Sequence, residues 1–387
     1  MKNSIKIVGG VIVVFVILAI VGSFVNKDKG GSNNPPPPVN PSSLPTISSR
    51  SFYMGFTPFP PDWSAKAVDE VYAFVKDHSD LVAHHFDGGI PWQEALEDKE
   101  FPSALKTEWN TRKSKTPSGD KVYIAISPIA FSRDALAPVW GSSENQPLEE
   151  PWKSYRFNDP KVKQAFLNYA KRVVEYFNPD YLAIGIESNI LISKAPEKWN
   201  DYKELHTYVY QELKKIYPKR TIFFTTQYEH LRGIDDESKK NLSLQIPEVK
   251  KLMQYSDLAA LSTYRYGLNH NPPTETYFAE AKSLGKPIAI AEMGGISRDV
   301  TVFSYALKAT EEDQEKFVSF MLKKAAENKF PFVVNFVAID YEKFAAKLPK
   351  ESQEVAKVWM YTGLQKSNGQ TKPALGVWDA YRALPKK

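Results

Sequence analysis

The chain of 387 residues contains no cysteine, which excludes disulfides, thiolate metal sites and a cysteine nucleophile. It has no lysine- and arginine-rich block, and its formal net charge of +5 is small for this length. Nucleic acid is therefore not an expected partner. The sequence also lacks a G-x-S-x-G motif and a phosphate-binding P-loop, which disfavours a serine hydrolase and a P-loop NTPase.

A long apolar run covers residues 7–25 and follows Lys2 and Lys6. Nineteen helical residues span roughly 28 Å, close to the thickness of the bilayer hydrocarbon. The two lysines favour a cytoplasmic N-terminus at residues 1–6. We expect an uncleaved membrane anchor. The alternative is a cleaved signal peptide, although no A-x-A site follows the run. In both cases we expect the rest of the chain outside the cytoplasm.

Residues 26–50 are rich in proline, glycine and serine, with four consecutive prolines at 35–38. Such a composition does not form a packed core, and a proline run is stiff. We interpret this segment as a disordered linker. It would hold the following domain, residues 51–387, away from the membrane surface.

Short apolar runs alternate with stretches of helical periodicity from residue 51 onward. Eight strands are predicted, at residues 52–59, 81–86, 122–129, 181–186, 221–226, 258–264, 288–292 and 332–339. Helices lie between most of them, and Asp159-Pro160 is a typical helix start. This alternation predicts a (β/α)₈ TIM barrel. The alternative, an open dinucleotide-binding sheet, would carry a glycine-rich fingerprint after the first strand, and none is present.

Two of the predicted strands end in a glutamate: Glu187 follows the run 181–186, and Glu292 precedes two glycines. In such barrels the active site lies at the carboxyl ends of the strands. Hydrolysis of a glycosidic bond needs two flanking carboxyl groups, one to protonate the leaving oxygen and one to attack the sugar or activate water. We expect Glu187 and Glu292 to share such a site. The alternative is that each forms a structural ion pair at the barrel rim.

His85 and Asp87 end the second predicted strand on one face, whereas the adjacent His84 points to the opposite face. The H-x-H pattern common in metal hydrolase barrels is absent, so we expect these two residues to bind sugar. A metal-dependent hydrolase centred on them stays an alternative. Trp92 is a candidate platform for a sugar ring, or it anchors the following helix.

Gln227 and His230 follow the fifth predicted strand. They either bind sugar hydroxyls or cap the loop. Glu229, which lies between them, is a rival for the role of acid.

The pattern resembles glycoside hydrolase clan A, and locally the endo-β-1,4-galactanases and neighbouring cellulase-like families. The resemblance rests on glutamates at the fourth and seventh strand ends, on the runs 256–264 and 285–292, and on the closing segment 363–378. It implies a retaining mechanism with Glu187 as acid/base and Glu292 as nucleophile. It further implies that Tyr264 hydrogen-bonds the nucleophile, with a core tyrosine as the alternative. No metal or organic cofactor is implied.

The chain departs from the clan at two positions. The clan usually has Asn directly before the acid/base, where it binds the sugar 2-hydroxyl. Here that position is Ile186, and Asn189 is our candidate for a substrate contact. The clan usually places a Trp at the end of the eighth strand, where this chain reads NFVAIDY at 335–341.

We therefore expect a monomeric, membrane-tethered retaining glycoside hydrolase that acts on a β-linked poly- or oligosaccharide. The alternative is a degenerate barrel that binds carbohydrate or associates with the cell wall without catalysis.

Overall fold

The structure is a computed structural model that describes residues 37–234, 236–264, 273–302 and 305–387. The predicted membrane segment at residues 7–25 and residues 26–36 of the predicted linker lie outside the described residues. Residues 37–50 are described and contact the following domain. The Ser319 hydroxyl donates to the Ser43 carbonyl at 2.8 Å, and the Arg50 backbone N–H donates to the Pro385 carbonyl at 3.0 Å. Within the ranges described, none of the helices combines the length and hydropathy needed to cross a bilayer.

A closed sheet of parallel strands forms the centre of the described chain, which confirms the predicted barrel. The fifth strand is interrupted at Phe224. Its first half pairs with the fourth strand and its second half with the sixth, and this closes the sheet. The strands are β1 Tyr53–Phe56, β2 Leu81–Phe86, β3 Lys121–Ile126, β4 Tyr181–Ala183, β5 Thr221–Phe223 with Thr225–Gln227, β6 Ala259–Tyr264, β7 Ile288–Gly294 and β8 Phe332–Asn335.

Helices surround the sheet, and shorter helices lie in the loops. An antiparallel ribbon of Val300–Val302 and Tyr305–Leu307 follows β7. The helices of the described ranges are α1 Ala65–His78, α2 Trp92–Leu96, α3 Ser103–Lys115, α4 Pro160–Phe177, α5 Leu191–Lys194, α6 Trp199–Ile216, α7 Tyr228–Leu231, α8 Asp236–Lys239, α9 Leu242–Leu252, α10 Ala279–Ser283, α11 Glu311–Glu327, α12 Glu342–Ala345, α13 Lys350–Ala356 and α14 Pro373–Arg382.

The start of α4 shows how local sequence sets these elements. The Asp159 side chain accepts a hydrogen bond from the Lys161 backbone N–H at 2.8 Å, and Pro160 occupies the first turn. This satisfies one of the free N–H groups of the first turn, while proline has no N–H to satisfy. The predicted helix start is therefore confirmed.

The core has two layers, one between strands and helices and one inside the barrel. Side chains alternate along β2, so Leu81 and Ala83 fill the barrel interior, while Val82 and Phe86 face the helices. His85 is the next inward position on that strand. It therefore emerges at the carboxyl end of the barrel.

Candidate active site

A cleft of about 920 Å³ opens at the carboxyl ends of the strands. Both predicted glutamates, Glu187 and Glu292, line it, together with His85 and Asp87. This volume lies in the range of small-molecule sites. The four residues therefore meet at the end of the barrel where chemistry is expected.

A β-bulge in β7 directs Glu292 into the cleft. Leu261 pairs with Ile290, but the next residue of β6, Ser262, pairs with Glu292, so β7 contains one extra residue. The register with β8 shifts at the same place. Ala291 faces the barrel interior and Met293 packs against the helices. In a regular strand Glu292 would point away from the interior, and the bulge instead re-aims it into the mouth of the barrel.

Two groups hold the Glu292 carboxylate. His85 Nε2 lies 2.9 Å from Oε1, and the Tyr264 hydroxyl donates a hydrogen bond to Oε2. Burial alone would raise the pKa of Glu292, which is 7% exposed. The His85 imidazole beside the carboxylate and the hydrogen bond from Tyr264 outweigh that effect and lower the pKa of Glu292 below its usual value. Glu292 is therefore held in its ionised form.

His85 is itself held in place by neighbours on β3 and just after β1 and β8. Thr57, just after β1, places Oγ1 3.5 Å from the imidazole Nδ1. The rings of Tyr123 and Phe336 meet the imidazole edge-on, each with centroids 5.9 Å away. The outward-facing His84 bonds to Thr116 instead, at 2.9 Å. The two adjacent histidines thus serve opposite faces of β2, as strand alternation predicts.

Glu187 reaches the cleft through a sharp turn after β4. Its φ of +48° lies in the left-handed region, which is uncommon for a residue other than glycine. The Glu187 backbone N–H donates to Thr225 Oγ1 at 2.7 Å and so ties the turn to β5. Gly185 is required just before, because a Cβ there would lie 2.3 Å from the Tyr202 hydroxyl.

The Glu187 carboxylate, 17% exposed, accepts a hydrogen bond from Arg133 Nη2 at 3.1 Å. Burial raises the pKa of Glu187 to about 7, and the nearby charge of Glu292 adds to the rise, while Arg133 opposes both. Glu187 and Glu292 thus have pKa values displaced in opposite directions. Such a split suits one carboxyl group to donate a proton and the other to attack.

Sequence reasoning did not find Arg133. It lies in the long connection between β3 and α4, where no periodicity or motif distinguishes it from other surface arginines. Trp359 was also missed. It lines the cleft from the segment after α13, with its ring centroid 6.1 Å from that of Tyr264 and 5.9 Å from that of Phe336. A tryptophan therefore does stand beside Phe336, although it comes from a later segment than β8.

The rival carboxylate, Glu229, is engaged elsewhere. Its Oε1 accepts bonds from Thr263 and Tyr277 at 2.7 and 2.9 Å. Its Oε2 accepts from the Gln227 side chain and the Tyr264 backbone at 3.0 and 3.2 Å. Glu229 is not part of the cleft lining described above. It joins the loops after β5 and β6, which positions Tyr264.

Three other predicted binding residues are also used within the protein. Asn189 is fully buried, and its side chain bonds the backbone of Gln227 in both directions, at 2.8 and 3.1 Å. The Gln227 side chain caps α7 by accepting from the His230 backbone N–H. His230 is buried, with Nε2 3.0 Å from Ser193 Oγ. The structure thus places these three in the packing between β4 and β5, outside the cleft.

Trp92 is 1% exposed. Its ring stacks on Trp152 at a centroid distance of 5.4 Å, and its indole N–H donates to the Ala137 carbonyl at 2.9 Å. The ring of Trp92 is therefore enclosed in the core, and its indole N–H is already hydrogen-bonded. This placement corrects the prediction of a sugar platform in favour of an anchor for α2.

No family model matches the sequence, and no curated protein is similar to it in sequence. Solved structures share its fold. The exo-beta-1,4-mannosidase Op5Man5 from Opitutaceae bacterium strain TAV5 is 13% identical with a TM-score of 0.60, covering 89% of this chain and 62% of that one. A GH10 endoxylanase from a sugarcane soil metagenome is 12% identical with a TM-score of 0.55, and the match covers 85% of this chain and 96% of that one. The Ignisphaera aggregans GH53 catalytic domain is 14% identical with a TM-score of 0.53, and the match covers 89% of this chain and 99% of that one.

These neighbours are (β/α)₈ glycoside hydrolases of clan A, which confirms at the level of the fold the resemblance inferred from the sequence. They come from several families of that clan and do not single out one. At such low identity they show a shared fold.

Proposed function

We propose that this protein is a retaining glycoside hydrolase that cleaves a β-linked poly- or oligosaccharide. The observation that carries the proposal is the pair of glutamates in one cleft, with the pKa of Glu187 raised and that of Glu292 lowered. The clan A fold supports it. Binding without catalysis would not require two carboxyl groups in one cleft whose pKa values are displaced in opposite directions.

In the first step, a carboxylate oxygen of Glu292 attacks the anomeric carbon while the glycosidic bond breaks. Glu187 delivers its proton to the leaving oxygen. His85 and Tyr264 keep Glu292 ionised before the attack. The products of this step are the free leaving group and a glycosyl ester on Glu292.

In the second step, the Glu187 carboxylate removes a proton from a water molecule, which attacks the anomeric carbon. The ester bond breaks and Glu292 leaves as a carboxylate. Two inversions at the same carbon give overall retention, and both glutamates return to their starting protonation states.

The names of the structural neighbours suggest the first substrates to test. One is called an exo-beta-1,4-mannosidase and another an endoxylanase, so β-1,4-mannan and β-1,4-xylan head the panel. Galactan and cellulose follow from the sequence resemblance. Phe336 and Trp359 offer aromatic rings along the cleft against which the C–H groups of a sugar ring can pack.

The test is turnover of this panel, and of 2,4-dinitrophenyl β-glycosides, by the full chain in detergent beside Glu187→Ala and Glu292→Ala. Glu100→Ala, a highly exposed glutamate, is the matched control. We expect losses of several orders of magnitude in both cleft variants and none in the control. Azide should restore turnover of the aryl glycosides by both cleft variants. The product should be a β-glycosyl azide with Glu187→Ala and an α-glycosyl azide with Glu292→Ala. Polysaccharide binding without turnover in every protein would instead support the degenerate barrel.

We further propose that residues 7–25 anchor the protein in a membrane with the barrel outside the cytoplasm. The apolar run and the two lysines before it support this. The full chain should stay with the membrane after alkaline extraction, and a variant lacking residues 7–25 should not. Protease added to intact cells should reach the barrel, and complete protection would contradict this orientation.

A further inference from the structure

Arg133 is driven into the cleft by the conformation of its loop. Its φ is +60°, in the left-handed region, which strains a residue other than glycine. The turn is closed by hydrogen bonds from the Arg133 N–H to the Ala130 carbonyl at 2.8 Å and from the Ala130 N–H to the Ala135 carbonyl at 2.9 Å. As a result the arginine is only 5% exposed. Strain of this kind is concentrated at functional positions.

The guanidinium of Arg133 is incompletely satisfied. Nη2 donates to Glu187 Oε2 at 3.1 Å and Nη1 to the Ala130 carbonyl at 3.3 Å. Nε is buried and has no hydrogen-bond partner among the described residues. An arginine has five N–H donors, and a buried unpaired donor is costly. The side chain therefore retains donors for a further acceptor at the cleft.

The contact between Arg133 and Glu187 opposes the role proposed for Glu187. A general acid must carry a proton when the leaving oxygen departs, whereas a guanidinium beside it favours the carboxylate. The remaining charges that act on Glu187, those of Glu292 and Glu229, favour protonation. An acceptor that drew Arg133 away from Glu187 would thus prepare the acid.

Two lysines extend the positive charge along the same cleft. Lys153, from the same connection as Arg133, and Lys194, at the end of α5, both line it and are exposed. Neither makes an ion pair with a described residue. Apart from the two glutamates, the carboxylates of the cleft lining are Asp87 and Asp134, and neither pairs with these lysines. The two lysines of the cleft thus have no paired carboxylate among the described residues.

Arg133 and Lys194 lie on a different side of the site from Phe336 and Trp359, and the Phe131 ring centroid is 5.5 Å from the guanidinium carbon of Arg133. Arg133 contacts Glu187, and Lys194 follows Glu187 in the same loop region. Phe336 and Trp359 lie instead around Tyr264, the partner of Glu292. In the retaining mechanism the acid stands beside the leaving group. Arg133 is therefore on the leaving-group side of the cleft.

We propose that the leaving-group side binds an anionic sugar, with Arg133 exchanging Glu187 for the anion of the substrate and Lys153 and Lys194 supporting it. This inference rests on the proposed function. The shared chemistry is a sugar that carries a carboxylate, sulfate or phosphate near the scissile bond. Charge-assisted hydrogen bonds from a guanidinium suit each of these groups.

The experiment compares substrates that differ only in charge. The first pair is β-1,4-glucuronan and cello-oligosaccharides, which differ at C6, and the second is β-1,4-mannuronan and manno-oligosaccharides. Cello-oligosaccharides with 6-sulfate or 6-phosphate separate the possible anions. With the full chain we expect kcat/KM to be about 10- to 100-fold higher for the anionic member of the pair whose linkage is cleaved.

Three variants test which residues cause the preference for the anionic substrate. Arg133→Gln should abolish the preference for the anion, and the Lys153→Gln/Lys194→Gln double variant, which changes only exposed side chains, should reduce it several-fold. Arg156→Gln is the matched control, because Arg156 is 71% exposed and pairs with Asp201. An unchanged preference in both cleft variants, or faster cleavage of the neutral member, would overturn the anion site and leave the hydrolase intact.

If no substrate is cleaved, the hydrolase proposal fails and calorimetry tests the anion site by itself. Glucuronan trisaccharide should then bind the full chain more tightly than cellotriose, by about 10-fold or more, and Arg133→Gln should remove the difference. Equal binding of the two trisaccharides would overturn the anion site.

Discussion

His85 Nε2 lies 2.9 Å from Oε1 of Glu292, so the end of β2 and the bulge of β7 meet at one carboxylate. The second oxygen of that carboxylate is held from β6 by Tyr264. Residues of β2 and β6 thus orient the proposed nucleophile on β7 and favour its ionised form. Each contact can be removed by itself.

His85→Gln removes the imidazole whose Nε2 lies 2.9 Å from Glu292 Oε1 and which lowers the pKa of Glu292. Glu292 must be ionised to attack, so activity is lost as the pH falls through its pKa. Because the variant raises that pKa, we expect the acid limb of the kcat/KM profile to move to higher pH by about one unit. The measurement is kcat/KM from pH 3 to 9. An acid limb at the same pH in both proteins would show that another group controls it.

Arg133→Gln removes the charge that holds down the pKa of Glu187. In the wild type that pKa is about 7, so the basic limb of kcat/KM should lie near pH 7. Loss of the guanidinium raises the pKa, and the protonated acid then persists to higher pH. We therefore expect the basic limb to move up in Arg133→Gln, with most of the shift reversed in Arg133→Lys. A downward shift would contradict the contact described between Arg133 and Glu187.

Tyr264→Phe deletes the hydroxyl that donates to Glu292 Oε2 while it keeps the ring. A hydrogen bond to a charged group contributes about 1.5–3 kcal/mol, so we expect kcat to fall about 10- to 100-fold. Tyr210→Phe is the matched control, because its hydroxyl donates to Asp257 at 2.8 Å, at the opposite end of β6. Equal losses in both variants would indicate a general structural effect.

Lys372 is 1% exposed and donates to Asp340 Oδ1 at 2.8 Å, to Ser297 at 2.8 Å and to the Gly363 carbonyl at 2.7 Å. Lys372→Met leaves a buried carboxylate without its partner and should lower the free energy of unfolding by about 3–5 kcal/mol. Asp340→Asn in the same chain should recover part of it. Urea unfolding measures both. Lys366→Met, which breaks the half-exposed pair with Glu311, should cost at most about 1 kcal/mol.

The strand pattern predicted the barrel because parallel strands buried on both faces leave clear apolar runs. β2 was predicted with its observed bounds, whereas β4 ends at Ala183, before the predicted Ile186. There the chain makes a left-handed turn at Glu187 that the apolar run conceals. The same pattern also marked both cleft glutamates, since a charge at the end of such a run is conspicuous.

Whether a residue after a strand end is buried or lines the cleft was harder to predict from the sequence. Alternation assigns a side chain to a face, but it does not tell whether a loop then covers it, as happens to Asn189 and His230. Arg133 and Trp359 reach the cleft from connections that show neither helical nor strand periodicity in their hydrophobic pattern. Their placement depends on how the chain folds back over the barrel, which is a property of tertiary packing.

The bulge in β7 changes the number of residues between the interior alanines of the strand and the proposed nucleophile. Ala289 and Ala291 face the barrel interior, and the extra residue brings Glu292, one position later, to the same side. Deleting Ala291 would restore the regular pairing of β7 and leave Glu292 and Met293 on the faces they now occupy. A chain with an unbulged seventh strand would need its glutamate two residues beyond the last interior alanine. A sequence alignment of the two chains would then place their nucleophilic glutamates one residue apart, although their active sites superimpose.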